Sequence, residues 1–266
     1  MTRSRSGGDT PGSDMSAVSP LRPAAGNPAT RPELTPRLEA SLRAHIDAAL
    51  EALRAAKAQF PSIAFANSFG AEDMVLTDLI LTHGLGIDMF SLDTGRLPPE
   101  TYSLMADVEA RYSTRLAVFL PEAGAVEAYV REHGINAFYA SVDLRKACCR
   151  IRKVEPLRRA LAGRQAWVTG QRAAQSATRT ALAAREHDAV FGIEKFNPLA
   201  EWSEAEVWTY IRIHNVPYNA LHDQFYPSIG CAPCTRAIAV GEDIRAGRWW
   251  WEDASLKECG LHAKTS

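Results

Sequence analysis

Three short apolar runs each end in a polar, glycine-bearing loop, and this alternation constrains the fold more than any other feature of the chain. Ser62-Ile63-Ala64-Phe65-Ala66 leads into Asn67-Ser68-Phe69-Gly70-Ala71, Ile87-Asp88-Met89-Phe90-Ser91 into Leu92-Asp93-Thr94-Gly95-Arg96, and Gln165-Ala166-Trp167-Val168-Thr169 into Gly170-Gln171-Arg172. Runs of this length between turn residues read as buried strands. Segments of helical period follow, from Glu72 to about His83, from about Pro99 to Tyr112 and near Ala123 to His133, with a further strand near Arg115 to Leu120. An earlier helix starts at Thr35-Pro36, an N-cap and N1 pair, and repeats Leu38, Leu42, Ile46, Ala49, Leu50 and Leu53 on one face. Strand, loop and helix in repetition predict an α/β fold, a mostly parallel sheet flanked by helices on both faces. Ligands of such sheets bind beyond the carboxyl ends of the strands, where these three loops lie.

The 266 residues and 46% hydrophobic content suffice for one large core. Residues 1–34 are rich in Ser, Pro, Gly, Ala and Arg and are expected to be a disordered tail. The binding domain is expected over 35–235, ending after a helix that Ser203 and Glu206 open as a capping box. Residues 236–266, punctuated by Gly241, Gly247 and Gly260, read as a mobile arm containing Trp249-Trp250-Trp251. A net charge of −1 gives no global field for nucleic acid or membranes, and no apolar run reaches membrane-spanning length. Five cysteines are few and odd in number, which disfavours a secreted disulfide scaffold and fits a reducing cytoplasm. Whether the chain forms a homo-oligomer stays open.

Those cysteines carry the chemistry. Cys148-Cys149 is a tandem pair in a helical segment, and Cys231-Ala232-Pro233-Cys234 is a Cys-x-x-Cys turn. Two pairs can close a metal or iron–sulfur site, leaving Cys259 free as a nucleophile. Adjacent helical residues diverge by about 100°, so tandem ligands need a local distortion, and the spacing argues against zinc. Lys153, four residues beyond Cys149, shares its face and can stand between thiolates and an anionic substrate. The loop at Ser68–Gly70 can cradle an anion on backbone N–H groups but lacks the Gly-Lys-Ser/Thr ending of a Walker A loop. Arg96, Arg172 and Arg179 on the strand-end loops would add local positive charge. The blander alternatives are buried free thiols, solvated cations, an ordinary strand–helix turn and an inert tail cysteine.

Together these motifs resemble the assimilatory sulfonucleotide reductases, and among them the bacterial adenosine 5′-phosphosulfate (APS) reductases. The resemblance spans about residues 60 to 262. It rests on Ser68-Phe69-Gly70-Ala71-Glu72-Asp73, Leu92-Asp93-Thr94-Gly95-Arg96, Cys148-Cys149-Arg150-Ile151-Arg152-Lys153, Gly170-Gln171-Arg172, the Cys231/Cys234 turn, Gly247-Arg248-Trp249-Trp250-Trp251 and Glu258-Cys259-Gly260-Leu261-His262. It implies a fold like the adenine nucleotide α-hydrolases and a [4Fe–4S] cluster on Cys148, Cys149, Cys231 and Cys234. It also implies that Cys259 is the catalytic thiol, attacking the substrate's sulfur, releasing AMP and becoming an S-sulfocysteine that thioredoxin discharges as sulfite. By motif position, Lys153, Arg179, Arg245 and Arg248 are expected to bind the phosphosulfate, and Ser68, Gly70, Leu92 and Gly170 to frame the adenosine. The first loop departs from the Ser-Gly-Gly-x-Asp-Ser loop of the related ATP pyrophosphatases, against ATP cleavage. In the family the four cluster cysteines usually accompany APS. Reduction of 3′-phospho-APS (PAPS) is the alternative substrate reading, and a zinc-stapled nucleotide-binding regulator is the alternative class.

Overall fold

The computed structural model describes residues 33–175 and 182–253. Its elements are helices α1 (Pro36–Gln59), α2 (Ala71–Thr82), α3 (Pro99–Tyr112), α4 (Ala123–His133), α5 (Val142–Cys149), α6 (Glu155–Leu161) and α7 (Glu204–Ile213). The strands are β1 (Ile63–Ala66), β2 (Asp88–Leu92), β3 (Ala117–Phe119), β4 (Ala166–Val168), β5 (Arg185–Asp188) and β6 (Ile193–Phe196). They form one sheet in the order β3-β2-β1-β4-β6-β5, parallel throughout except for β5, which runs antiparallel to β6. The strand order reverses between β1 and β4, and a crevice at such a switch point is where α/β sheets hold ligands.

The core explains the alternation. Ile63, Ala64 and Phe65 of β1 and Ala166 and Val168 of β4 have no exposed surface, as expected of central parallel strands covered on both faces. Helix α2 is buried on nearly every side, from Asp73 through Ile80, and joins α1 and α7 on one face of the sheet. Leu157, Ala160 and Leu161 of α6 pack against Trp167 and Phe90 in a second, smaller cluster. At about 1.5–3 kcal/mol per fully buried large side chain, these layers hold the loops at the strand ends in place. Thr35 caps α1 by accepting from Leu38 N (3.2 Å), and Ser203 with Glu206 forms the predicted capping box of α7.

The β5–β6 hairpin was not foreseen. Arg-Glu-His-Asp in β5 carries no apolar residue, so its stability comes from ladder pairing and from charged cross-strand contacts such as Arg185 Nε to Glu194 Oε2 (2.7 Å). No helix among the described residues is long and apolar enough to cross a membrane.

A candidate nucleotide cavity beside a four-cysteine niche

The three polar loops converge on a cavity of about 460 Å³ at the carboxyl ends of β1, β2 and β4. Ser68, Gly70, Leu92, Lys153, Gly170, Arg245 and Arg248 all line it. Arg179 and Cys259 lie outside the described residues.

The first loop is shaped by its own side chains. Asn67 Oδ1 accepts from Phe69 N (2.7 Å), and Phe69 turns at φ 60° with its ring buried in the core. A bulky residue in the left-handed region is strained, and here burial of the ring offsets that cost. Ser68 N and Ser68 Oγ both donate to Asp73 Oδ2 (2.7 and 2.6 Å). Asp73, in the first turn of α2, is buried, and burial raises its carboxyl pKa to about 6 against the opposing Ser68 hydrogen bonds. Its other oxygen lies where a Cβ on Gly170 would stand, at 2.2 Å, so glycine is required there. One carboxylate thereby ties the loop after β1 to the loop after β4.

The third loop is drawn toward α2. Arg172 Nε and Nη2 both donate to Glu72 Oε1 (2.9 and 2.7 Å), and Nη1 to the Trp202 carbonyl (3.3 Å). Arg96 turns away from the cavity: its guanidinium donates to Asn136 Oδ1 and the Ile135 carbonyl and covers the Phe138 ring at 5.0 Å. Arg172 lines the cavity as expected, with its charge paired to Glu72, whereas Arg96 lines the neighbouring niche instead, which corrects its expected place. Lys153, Arg245 and Arg248 add further positive charge to the cavity. Arg248 lies across Gly230, whose missing Cβ would stand 2.3 Å from Nη2, and Arg248 Nη1 donates to the Ile229 carbonyl (3.1 Å).

Next to this cavity is a small niche lined by Cys148, Cys149, Cys231 and Cys234, together with Arg96, Phe138, Arg145, Arg152, Lys153 and Pro233. All four cysteines are free thiols. Helix α5 starts on Ser141, whose side chain accepts from Leu144 N, and stops at Cys149. A π-helical turn follows over Arg150–Val154, with Glu155 N donating to the Arg150 carbonyl. The wide turn lies just beyond the tandem cysteines, which themselves stand on the regular last turn of α5. Cys231 and Cys234 enter on a 3₁₀ turn, and Cys231 Sγ donates to Thr94 Oγ1 (3.3 Å). Arg152 Nη1 donates to the Thr94 carbonyl (2.6 Å), so the loop after β2 touches both sites.

The donor set suits an iron–sulfur cluster. Burial pushes the Cys148 thiol up, and with Cys231 and Cys149 nearby it pushes Cys234 up to about 12, so thiolates at these two positions need a cationic centre. Among the described residues no three Cys, His, Asp or Glu side chains are grouped closely enough for a single metal ion. Lys153 lines both the cavity and the niche, the position its spacing from Cys149 suggested.

Other groups around the two sites escaped the sequence reading. His222 is buried on the cavity wall, and burial holds its pKa below the usual imidazole value. Arg145 lines the niche and pairs with Glu252 through Nε to Oε1 (2.9 Å) and Nη2 to Oε2 (2.7 Å), both side chains being almost fully buried. The spacing of Arg145 from Cys149, one helical turn, was the available signal.

Residues 62–237 match the family model described as the phosphoadenosine phosphosulfate reductase domain. The "Adenosine 5'-phosphosulfate reductase" of Allochromatium vinosum is 60% identical over 217 residues, covering 82% of this chain and 85% of that protein. Among solved structures, the phosphoadenylyl-sulfate (PAPS) reductase from Candida auris, a phosphate complex, aligns with TM-score 0.62 at 31% identity, over 76% of this chain and 98% of that one. Yeast FAD synthetase in complex with FAD shares the fold alone, with TM-score 0.57 at 15% identity over 79% of this chain and 71% of that one.

Proposed function

The chain belongs to the phosphoadenosine phosphosulfate reductase family, and from that premise we propose that it reduces APS to sulfite and AMP with thioredoxin as electron donor. The Cys259 thiolate attacks the sulfur of the sulfonate. A sulfur–sulfur bond forms, the bond from sulfur to the phosphate oxygen breaks, and AMP departs with the electron pair. A thioredoxin thiolate then attacks Cys259 Sγ, expelling sulfite and leaving a mixed disulfide. The second thioredoxin thiol resolves it, so that Cys259 returns as thiol and thioredoxin leaves oxidised. Attack on sulfur needs a thiolate, which cysteine supplies most readily near neutral pH.

The observation that carries this reading is the place of Lys153 in the wall common to cavity and niche. With Arg245 and Arg248 it offers fixed positive charge to the sulfonate and to the departing phosphate, the groups whose charge changes in the reaction. Ser68, Gly70, Leu92 and Gly170 frame the nucleoside, and Arg179 completes the cationic set. Cys148, Cys149, Cys231 and Cys234 hold a [4Fe–4S] cluster. When bound, the cluster supplies a fixed charge beside Lys153 and a covalent tie between α5 and the Cys231–Cys234 turn.

The choice of APS over PAPS is supported by the higher identity to the Allochromatium protein and by the acidic groups Glu72, Asp73 and Glu204 on the cavity wall, which disfavour an added phosphate. The second half-reaction needs a reducing compartment, and the cytoplasm belongs to the same proposal. Cys259 has to reach the nucleotide first and the reductant afterwards. Residues up to Glu252 pack on the body through the Thr235–Arg248 bridge and the Arg145 pair.

The test is sulfite release from APS and from PAPS, side by side, with reduced thioredoxin under anaerobic conditions. Preference for APS is expected. Preference for PAPS reverses the substrate assignment and leaves the chemistry standing, and activity with neither, from protein holding a full cluster, defeats the reductase reading.

A further inference from the structure

The tryptophan run splits in two. Trp249, at φ 40°, turns inward and is 1% exposed, packed with Phe138 and Cys234 and lying under the guanidinium groups of Arg145 (4.7 Å) and Arg248 (4.8 Å). Trp250 turns outward, is 39% exposed, and lines neither the cavity nor the niche. It meets Tyr139, itself 42% exposed, at 6.2 Å between ring centroids, and Trp251 at 4.8 Å. Trp251 in turn lies edge-on to Tyr139 at 4.4 Å. Tyr139 and Trp250 form an exposed aromatic ridge, backed by Trp251, which packs against the buried Phe138, Cys234 and Trp249.

This ridge is rigidly mounted. Tyr139 OH donates to the Pro233 carbonyl (2.7 Å), and Glu252, directly after Trp251, is held by Arg145 in a buried two-point ion pair. Aromatic rings held in place at a surface offer contact area with little ordering cost, and such rings dominate protein–protein interfaces. The position of the ridge in the chain indicates its occupant. Cys259 follows Glu252 by seven residues, a tether of about 25 Å at full extension. A protein that reacts with Cys259 must therefore bring its own reactive sulfur within that reach of Glu252. When Cys259 faces the nucleotide it is at the cavity, from which Trp250 and Trp251 are absent. When it is discharged it must be accessible to a macromolecule, and the ridge is the exposed aromatic surface at the foot of its tether.

We propose that Tyr139 and Trp250, supported from behind by Trp251, form the docking face for the dithiol protein of the thioredoxin class that releases sulfite from Cys259. The inference rests on the reaction proposed above. Its test compares two reductants on the full-length, cluster-loaded enzyme and its Trp250→Ala and Trp250→Gln variants: thioredoxin, which must dock, and dithiothreitol, which need not. The expected result is a rise of about tenfold in KM for thioredoxin, the loss typical of an interface aromatic. Rates with saturating dithiothreitol, and single-turnover formation of the S-sulfonated enzyme, stay at the wild-type level. Equal losses with both reductants overturn the proposal in favour of a structural role. Slower S-sulfonation assigns the ridge to the chain's own tail, and an unchanged KM also overturns the docking inference. Wild-type enzyme that releases sulfite with neither reductant overturns the reaction itself and this inference with it, and is told apart by appearing before any variant is made.

Discussion

Gly170 and Asp73 are packed so closely that a single methyl group cannot be placed between them: a Cβ on Gly170 would stand 2.2 Å from Asp73 Oδ1 and 3.1 Å from Asp73 N. The carboxylate cannot swing aside, because its other oxygen accepts from both Ser68 N and Ser68 Oγ. Gly170→Ala is expected to cost about 1–3 kcal/mol by overpacking and to spread the two nucleotide loops. Urea unfolding and AMP titration read the two effects, and a variant that matches wild type in both contradicts the packing argument.

Asp73 also makes stability depend on pH. Burial raises its folded pKa to about 6 from the ordinary aspartate value of 3.8, so the folded state holds the proton more tightly than the unfolded one. The stabilising contribution is complete below about pH 4 and is lost as pH rises through about 6, because the carboxylate must then be buried charged. Melting curves of wild type and Asp73→Asn from pH 4 to 8 should show wild type losing ground to the variant as pH rises. Parallel curves would exclude this role.

Lys153 is expected to act on substrate rather than on the cysteines. Lys153→Met should weaken APS binding by about ten- to a hundredfold, the worth of a charge-assisted hydrogen bond, while iron and acid-labile sulfide remain at wild-type levels. Loss of iron in that variant would move Lys153 from the cavity's chemistry to the upkeep of the niche.

The Arg145–Glu252 pair is nearly fully buried, at 1% and 3% side-chain exposure, with the Arg145 guanidinium also over Trp249. Removing either partner alone, as Arg145→Met or Glu252→Met, strands the other charge and should cost about 3–5 kcal/mol, whereas the double variant should recover most of that loss. Additive losses in a double-mutant cycle would show that the two side chains do not act as a pair.

The five cysteines should separate by role. Cys259→Ser is expected to abolish turnover while retaining the cluster's visible absorbance and AMP binding. Cys231→Ser or Cys149→Ser should lower bound iron. A Cys259→Ser protein without iron would refute the division.

Much of the architecture was legible in the chain. The runs at Ile63–Ala66 and Ala166–Val168 read as strands because central parallel strands are apolar on both faces. Helix α3 could be read from Pro99 to Tyr112 because a proline opens it and the polar Ser113-Thr114 pair follows it, with Ser113 taking the left-handed conformation. The β5–β6 hairpin was not legible, because a charged edge strand has no hydrophobic period. The cavity's residues were legible as motif positions, but their pairing was not: nothing in the chain announced that Arg172 would be held by Glu72 or that Arg96 would turn toward Phe138.

The sequence by itself determined the alternation that forces a parallel sheet, the strand-end loops that must face one crevice, and the two pairs of cysteines with a fifth apart. These are local properties, set by hydrophobic period, turn residues and spacing along the chain. Only the tertiary structure decided that Cys148-Cys149 and Cys231–Cys234 meet, that Lys153 stands in the wall between niche and cavity, and that Trp249 turns in while Trp250 turns out. Those facts depend on contacts between residues tens of positions apart. Such contacts exist only once the buried surface of α2, β1 and β4 has brought the loops to one end of the sheet.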